Sequence, residues 1–345
     1  MKARPGPVLL LLVPFLALGG VAQEPSAGKV PLRLNAPKDA SFRYQFTLTM
    51  DTSMKLGEMD LGTRLESTHD MTVRVLEVNP DGSHLLGFQT GTVRGRMKMP
   101  VMGDVEFDSS RKDQEEGENP LAQLLTKALT RLSGRGYRIK ASSAGEVLEV
   151  QGIEKLMDDS LGDLPGADMV KRMMGDQFSE EGIRHTAESF LSHLPKAPVA
   201  VGSSWTSREA MPLSGRALVT ELTHTLAKAD PKAAEIEFRG SPEVKPAPWK
   251  TRPAAKPKEG EEEGDAMATA VEKMDVKNGM MKGTLQVSRQ DGLPLRETCE
   301  MAYDTIMPNP MGGAAMTAKN VVTMRIERLE GTPASKPAAP GGPGR

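Results

Sequence analysis

Methionine is the residue type whose spacing first suggests chemistry in this sequence. The chain contains 22 methionines, and Met97, Met99 and Met102 stand close together. Soft thioether sulfurs bind Cu(I), so this triplet predicts one alternative function, a copper-binding protein that uses Met97, Met99 and Met102 as ligands. Methionine is more often a pliable filler of apolar interiors or a lining for apolar cavities, and that is the interpretation we favour.

Histidine and serine give two weaker signals. His185 and Ser189 are four residues apart on a helix predicted to begin at Ser179, so their side chains could hydrogen-bond as base and nucleophile. Both lie off the apolar stripe of that helix, which favours a solvated polar face. His224 falls in the apolar alternation of a strand, where we expect a half-buried, hydrogen-bonded histidine, because no second His or Cys stands at ligand spacing.

The motifs of common enzymes are missing from the sequence, which has no Gly-x-Ser-x-Gly, His-Glu-x-x-His or phosphate-binding glycine loop. We therefore expect a non-enzymatic protein without a cofactor. An enzyme whose site is assembled from distant residues is a further alternative, because it would leave no local motif. Nucleic acid is not an expected partner, since the formal net charge of −2 becomes −4 without Lys2 and Arg4, and aromatics make up 4% of residues.

Alternation of apolar and polar residues with period two predicts strands over most of the chain, and period 3.6 predicts two helices. The fold class expected is α+β with mainly antiparallel strands, arranged as two sandwich-like or half-barrel-like β regions with two to three amphipathic helices. The expected strands and hairpins cover 42–50, 71–88, 137–150, 218–238, 268–276, 283–303 and 320–329, and the expected helices cover 120–132 and 179–194.

The positions of Cys299 and Trp205 in these strands predict a structural role for each. Cys299 lies on an apolar strand face, so we expect a buried structural thiol, and a single cysteine allows no disulfide within the chain. Trp205 begins a strand after an extended approach and Gly202, which predicts that it holds the helical layer against the second β region. The alternative is that Trp205 lines a ligand pocket.

Composition divides the chain into segments. Lys2 and Arg4, an apolar run and the small residues up to Ala22 predict a signal peptide over 1–22, cleaved after Ala22, and hence a periplasmic or extracellular protein without a transmembrane anchor. We expect an N-terminal β region with helices over 23–198 and a C-terminal β region over 199–330. The remaining expectations are a disordered insert at about 242–264 and a disordered tail over 331–345.

The assembled pattern resembles a family of exported bacterial proteins of unknown function. The resemblance rests on Gly145-Glu146-Val147-Leu148-Glu149-Val150-Gln151-Gly152 and on Leu194-Pro195-Lys196-Ala197-Pro198-Val199-Ala200-Val201-Gly202-Ser203-Ser204-Trp205. It implies export and a mostly β fold, and it supplies no catalytic residues. The function expected from the whole sequence is a non-enzymatic binding or interaction module of the cell envelope, with an apolar small molecule or an envelope protein as partner. A similar layout of the two β regions also allows an internal duplication.

Overall fold

The computed structural model describes residues 28–56, 59–100, 103–111, 120–154, 156, 162, 179–191, 193–213, 216–246, 273–308 and 315–329. Fifteen strands and two longer helices lie in these ranges. The strands are β1 Lys29–Val30, β2 Ser41–Leu56, β3 Met59–Asp60, β4 Thr63–Val78, β5 His84–Met99, β6 Gly103–Asp108, β7 Gly136–Ala141, β8 Val147–Gln151, β9 Val199–Ala200, β10 Ser204–Leu213, β11 Arg216–Ala229, β12 Ala233–Pro246, β13 Asp275–Ser288, β14 Pro294–Met307 and β15 Met316–Leu329; the helices are α1 Pro120–Leu132 and α2 Glu180–Leu191.

Thirteen of these strands form one antiparallel sheet. Its order is β10-β11-β12-β13-β14-β15-β2-β4-β5-β7-β8, with β3 beside β2 and β6 beside β5. Strands that follow one another along the chain are neighbours almost everywhere, as in a meander. Within each meander the chain steps past only the short strands β3 and β6, whereas the pairing of β15 with β2 joins the end of the C-terminal meander to the start of the N-terminal one. β1 and β9 pair separately as a short two-stranded sheet.

The two faces of the sheet differ in polarity. In β2, Tyr44 and Phe46 are buried on one face, and the intervening side chains, such as Arg43, lie on the other. The register carries the same alternation across neighbouring strands, because side chains alternate between faces with period two. We call the face with Tyr44 and Phe46 the inner face. The outer face carries mainly Lys, Arg, Glu and Thr, as expected for a sheet with one solvated side.

Both helices belong to the inner face. The Phe190 ring of α2 lies 5.0 Å from the Tyr44 ring and 5.9 Å from the Phe88 ring, near the middle of the sheet. The same helix also contacts β8 and β10, the two edge strands. Because one helix touches both edges and the middle of the sheet, the sheet must curve around α2, and its inner face is concave. α1 packs on β5 and β6, where its leucines form a second apolar cluster with Val105 and Phe107.

An extended segment closes one end of this curved sheet. It runs from β1 to Ala36 and buries Val30, Leu32 and Leu34. The Leu34 amide donates to the Ser143 carbonyl at 2.8 Å, and the Asn35 amide donates to the Asp291 carbonyl at 2.9 Å. The segment is therefore held between the β7–β8 turn and the β13–β14 turn.

Each of these two turns depends on a glycine. Gly145 has φ +82° and Gly292 has φ +76°, values that side chains rarely allow. A Cβ on Gly145 would overlap the Leu191 carbonyl at the end of α2, and one on Gly292 would overlap the Arg33 carbonyl. The glycines thus let α2 and the extended segment approach the turns closely.

The structure confirms the mostly antiparallel fold, most of the predicted strands and the two helices, which cover 120–132 and 180–191. The expected break between strands 268–276 and 283–288 is wrong, because β13 runs without interruption from Asp275 to Ser288, and residues 268–272 lie outside the described residues. It differs from the expectation of two β regions, since the strands of both join one sheet through the β2–β15 pair. The start of the expected disordered insert is wrong, because Pro242 to Pro246 extend β12, where their partners are Thr220 to Arg216. The rest of that insert, the signal peptide and the tail lie outside the described residues.

Candidate functional site

A row of apolar side chains crosses the inner face from strand to strand. The register places one residue from each of six neighbouring strands side by side, in the order β13, β14, β15, β2, β4 and β5. We call this row the apolar ladder; it consists of Met281, Met301, Val322, Met50, Leu65 and Met97.

The ladder side chains are half-buried, although they lie on the face that carries the core. α1 packs next to one end of the ladder, where Met97 and Leu65 contact its cluster. α2 packs further along the strands, at Tyr44 and Phe46. Neither described helix makes substantial contact with β13, β14 or β15. The middle of the ladder is therefore an apolar surface that remains partly accessible within a concave face.

The outer face contains two wide depressions of about 620 and 690 Å³. Charged side chains and threonines line most of both, including Arg239, Lys282 and Thr223, which the two share. Small-molecule pockets are mostly enclosed and apolar. Both depressions are wide and open to solvent, so the ladder is the better candidate for ligand binding.

A group of buried polar side chains lies on the same inner face, towards the β10 edge. His193, in the connection between α2 and β9, has Nε2 3.9 Å from Glu297 Oε1, and both residues are almost fully buried. The His193 ring centroid is 5.2 Å from that of His224, whose Nε2 lies 2.7 Å from Ser207 Oγ. Glu209 is buried on β10, and its Oε2 accepts from Ser189 Oγ at 3.1 Å. We call His193, His224, Glu209 and Glu297 the His–Glu cluster.

Many atoms of this cluster have no hydrogen-bond partner among the described residues. They are both ring nitrogens of His193, Nδ1 of His224, Oε1 of Glu209 and Oε2 of Glu297, and the neighbouring Trp205 Nε1 shares this property. Buried polar groups without partners are rare, because each costs about 1–3 kcal/mol. Such a concentration at one place therefore marks a site that can accept a polar group.

Burial changes the ionisation of the cluster. It raises the pKa of Glu297 from its usual value near 4.5 to about 7; the neighbouring His193 opposes this rise and Glu209 adds to it. Burial, with a smaller effect of His193, lowers the pKa of His224 to about 3. His224 is therefore neutral at neutral pH, and Glu297 is only partly ionised there. Within the described residues, no three His, Cys, Asp or Glu side chains are arranged to hold a metal ion.

The variant Glu297→Gln should become more stable than the parent protein as the pH rises. A carboxyl with a raised pKa in the folded state destabilises the fold only above its unfolded pKa of 4.5, and the full cost is reached above pH 7. At about 1.4 kcal/mol for each pH unit between the two pKa values, the cost is about 3 kcal/mol. Urea unfolding of the variant and of the parent protein at pH 5 and pH 8 measures the difference between their free energies of unfolding. Glu300→Gln, on the exposed outer face of the same strand, is the control and should show no such pH dependence. The prediction would be contradicted if the free energy of unfolding of Glu297→Gln differed from that of the parent protein by the same amount at pH 5 and at pH 8.

The structure brings together several residues that the sequence had singled out separately. Trp205 lies half-buried beside the cluster, stacked on His224 with ring centroids 5.6 Å apart. The expected solvated face for His185 and Ser189 is wrong, because α2 lies between the two sheet edges, and Ser189 bonds Glu209 rather than His185. His224 is fully buried rather than half-buried, with one ring nitrogen unpartnered.

The methionine triplet is separated from the His–Glu cluster, although Met97 belongs to the apolar ladder. Met97 and Met99 both point to the inner face and pack against the apolar cluster of α1, and Met102 lies outside the described residues. Cys299 is a buried free thiol, as expected, and burial raises its pKa to about 12. Cys299 is therefore a protonated thiol that packs in the apolar core.

Sequence reasoning missed His193 and Glu209, which lie in no recognisable motif. Glu297 carried a usable signal, because it is a charged residue in the apolar alternation of Leu295, Cys299 and Met301. Such a residue must either find a partner inside the fold or form a functional site.

Sequence comparison assigns the chain to a family. Residues 82–294 match the family described as "Family of unknown function (DUF6263)", which is more than half of the chain. The chain belongs to this family. The match extends from the β4–β5 turn to the first residue of β14, so it includes His193, His224 and Glu209 and ends just before Glu297. No curated protein sequence matches the chain.

Three similar solved structures are distant in sequence. A lipovitellin structure, described for its lipid–protein interactions, has a TM-score of 0.47 and 10% identity over 88% of this chain and 27% of that chain. DynF from the dynemicin biosynthesis pathway of Micromonospora chersina has a TM-score of 0.19 and 6% identity, covering 93% and 92% of the two chains. The outer membrane protein OprG from Pseudomonas aeruginosa has a TM-score of 0.20 and 6% identity, covering 86% and 100%. The chain thus spans about a quarter of lipovitellin, and these TM-scores carry no inference about function.

Proposed function

We propose that the protein is a non-enzymatic binding protein of the cell envelope that binds an apolar ligand on the apolar ladder. The observation that carries this proposal is the position of the ladder: six apolar side chains lie in register on a concave face and stay half-buried. Apolar surface that remains accessible inside a fold is typical of ligand-binding sites.

The composition of the ladder also supports binding of ligands with varied shapes. Four of its six residues are methionines, namely Met281, Met301, Met50 and Met97. Methionine side chains are unbranched and polarisable, so they adapt to different apolar partners. The outer face of the same strands carries mainly charged side chains and threonines, with Met280 and Val321 as exposed apolar side chains.

The proposed location rests on the predicted signal peptide over 1–22. Within the described ranges, no helix is long and apolar enough to cross a membrane. A protein exported in this way would meet lipids and other apolar compounds of the envelope, which are the ligands that the ladder favours.

The test is binding of N-phenylnaphthylamine, a neutral apolar fluorophore, to the purified protein. Met301→Glu places a charge in the middle of the ladder and should weaken binding by about tenfold or more, because the carboxylate would have to lose water under the bound ring. Thr298→Glu, on the outer face of the same strand, should leave the affinity within about twofold.

Thermal unfolding of each variant checks that it folds. Met50→Thr is a second ladder variant, which introduces a hydroxyl without a charge and should also weaken binding. Unchanged probe affinity in folded Met301→Glu and Met50→Thr, or no binding to the parent protein, would overturn the proposed function.

A further inference from the structure

A row of polar side chains runs beside the apolar ladder on the inner face. The register places one residue from each of four neighbouring strands side by side, in the order β14, β15, β2 and β4. We call this row the polar row; it consists of Tyr303, Asn320, Thr52 and Thr63. Each member stands two residues, or about 7 Å, from the ladder residue of the same strand. One bound molecule can therefore contact both rows.

The polar row is uncharged and keeps part of its hydrogen-bonding capacity free. In its middle, the buried Asn320 side chain donates to Thr305 Oγ1 at 2.8 Å and accepts from Thr52 Oγ1 at 2.9 Å. At its two ends, the hydroxyls of Tyr303 and Thr63 have no hydrogen-bond partner among the described residues. The Tyr303 end lies on β14, which neither described helix contacts substantially. The Tyr303 hydroxyl is therefore a donor that a ligand oxygen can reach.

Apolar side chains return on the far side of the polar row. Ala318 and Met54 face each other two residues further along β15 and β2. Met307 faces Met316 near the ends of β14 and β15. The polar row is therefore a narrow stripe with apolar surface on both sides. A ligand that covers this whole surface has a polar group between two apolar parts.

The surface around the two rows carries no charge. The inner-face side chains within 299–307 of β14, 316–324 of β15 and 48–54 of β2 are all uncharged. On β14, the nearest charged inner-face residue is Glu297, four residues or about 14 Å from Met301 along the strand. An ionised head group on this surface would lose water without gaining a countercharge, which costs far more than desolvating a hydroxyl or an ester.

The part of the ladder beside the polar row has the length of one lipid chain. From Met301 on β14 to Leu65 on β4 there are three steps between strands of about 4.8 Å each, or about 14 Å in all. A lipid chain spans half of the roughly 30 Å hydrocarbon core of a bilayer, or about 15 Å. One acyl chain that covers this part of the ladder therefore has an end beside Tyr303.

We infer that the ligand is an uncharged lipid ester, such as an acylglycerol, whose ester group accepts a hydrogen bond from Tyr303. This inference rests on the proposed function. One acyl chain lies across the strands from Met301 to Leu65, and the apolar part on the other side of the ester lies on Met54 and its neighbours beyond the polar row. An ester oxygen supplies the acceptor that the Tyr303 hydroxyl lacks, and it needs no countercharge.

The head-group test compares monolaurin, laurate and dodecylamine as competitors of N-phenylnaphthylamine at pH 8, each below its aggregation concentration. The three compounds share the chain length and differ in head group; at this pH the carboxyl is ionised and the amine is protonated. We expect monolaurin to bind about tenfold or more tightly than either charged compound. Equal or tighter binding of laurate or dodecylamine would overturn the inference.

Tyr303→Phe tests the hydrogen bond, because it removes the hydroxyl and keeps the ring. It should weaken binding of monolaurin by about threefold to tenfold and leave the affinity for N-phenylnaphthylamine, which has no ester, within about twofold. Thr323→Val removes a hydroxyl from the exposed outer face of β15 and should change neither affinity. Unchanged affinity of Tyr303→Phe for monolaurin would show that the ester does not bind there.

A second variant tests the apolar surface beyond the polar row. Dioctanoylglycerol should bind the parent protein about tenfold or more tightly than monooctanoylglycerol, because its second chain covers that surface. Met54→Glu should reduce this ratio to about threefold or less, whereas Ser53→Glu, on the exposed outer face of β2, should leave it unchanged. An unchanged ratio in folded Met54→Glu, or equal binding of the two compounds to the parent protein, would contradict the inferred position of the second apolar part.

The same titrations distinguish failure of the inference from failure of the proposed function. If N-phenylnaphthylamine binds the parent protein and monolaurin is not preferred over the charged compounds, the inference fails and the proposed function stands. If the probe does not bind the parent protein, the proposed function fails and the inference fails with it.

Discussion

Phe190→Ala is expected to lower the free energy of unfolding by about 3–5 kcal/mol. The Phe190 ring of α2 contacts the rings of Tyr44 and Phe46 on β2 and of Phe88 on β5, in the middle of the sheet. Removing it leaves a cavity at the point where the helix meets the concave face, and the curved sheet cannot collapse to fill it. Urea denaturation followed by far-UV circular dichroism measures the change.

Val321→Ala is the control for this variant. Val321 lies on the outer face of β15 and is 49% exposed, so its replacement should change stability by no more than about 0.5 kcal/mol. If Phe190→Ala were as stable as Val321→Ala, the helix would not be the support around which the sheet curves.

Asp291→Asn is expected to lower the free energy of unfolding by a similar amount, about 3–5 kcal/mol. Both carboxyl oxygens of Asp291 accept from Arg328, at 2.8 and 3.0 Å, and both side chains are largely buried. The Arg328 guanidinium also lies over the Phe42 ring and donates to the Tyr44 hydroxyl. Neutralising Asp291 therefore leaves an arginine charge buried without its partner. Guanidinium chloride would screen the pair, so urea denaturation is the appropriate measurement.

A matched surface pair gives the control. Arg296 and Glu327 form an ion pair at 2.7 Å on the outer face, with side chains 62% and 42% exposed. Glu327→Gln should cost at most about 1 kcal/mol, since exposed ion pairs contribute little. A cost for Asp291→Asn as small as that for Glu327→Gln would show that the buried pair does not fix β15 to the β13–β14 turn.

The local elements of this fold could be predicted from the sequence, and their assembly could not. The alternation around Tyr44 and Phe46 identifies β2, and the leucine spacing identifies α1, because each pattern depends only on neighbours along the chain. The pairing of β2 with β15 joins residues near opposite ends of the described chain. No local pattern specifies such a pair, so two β regions were expected where one sheet exists.

The same reasoning applies to the candidate site. Each ladder methionine is ordinary in its own strand, and the ladder exists only because the register places Met281, Met301 and Met50 side by side. His193 follows a helix in a connection without any motif, and it meets His224 and Glu297 only in the folded protein. The sequence could have pointed to Glu297, as a charged residue on an apolar strand face.

The seam between β2 and β15 has a consequence for how the protein folds. Each meander consists of hairpins between neighbouring segments, and such local contacts form early. The seam requires closure of nearly the whole chain, which costs entropy before any contact compensates for it. We therefore expect two partly formed meanders, each with an exposed edge strand, to accumulate before the seam forms, and its formation to limit the folding rate.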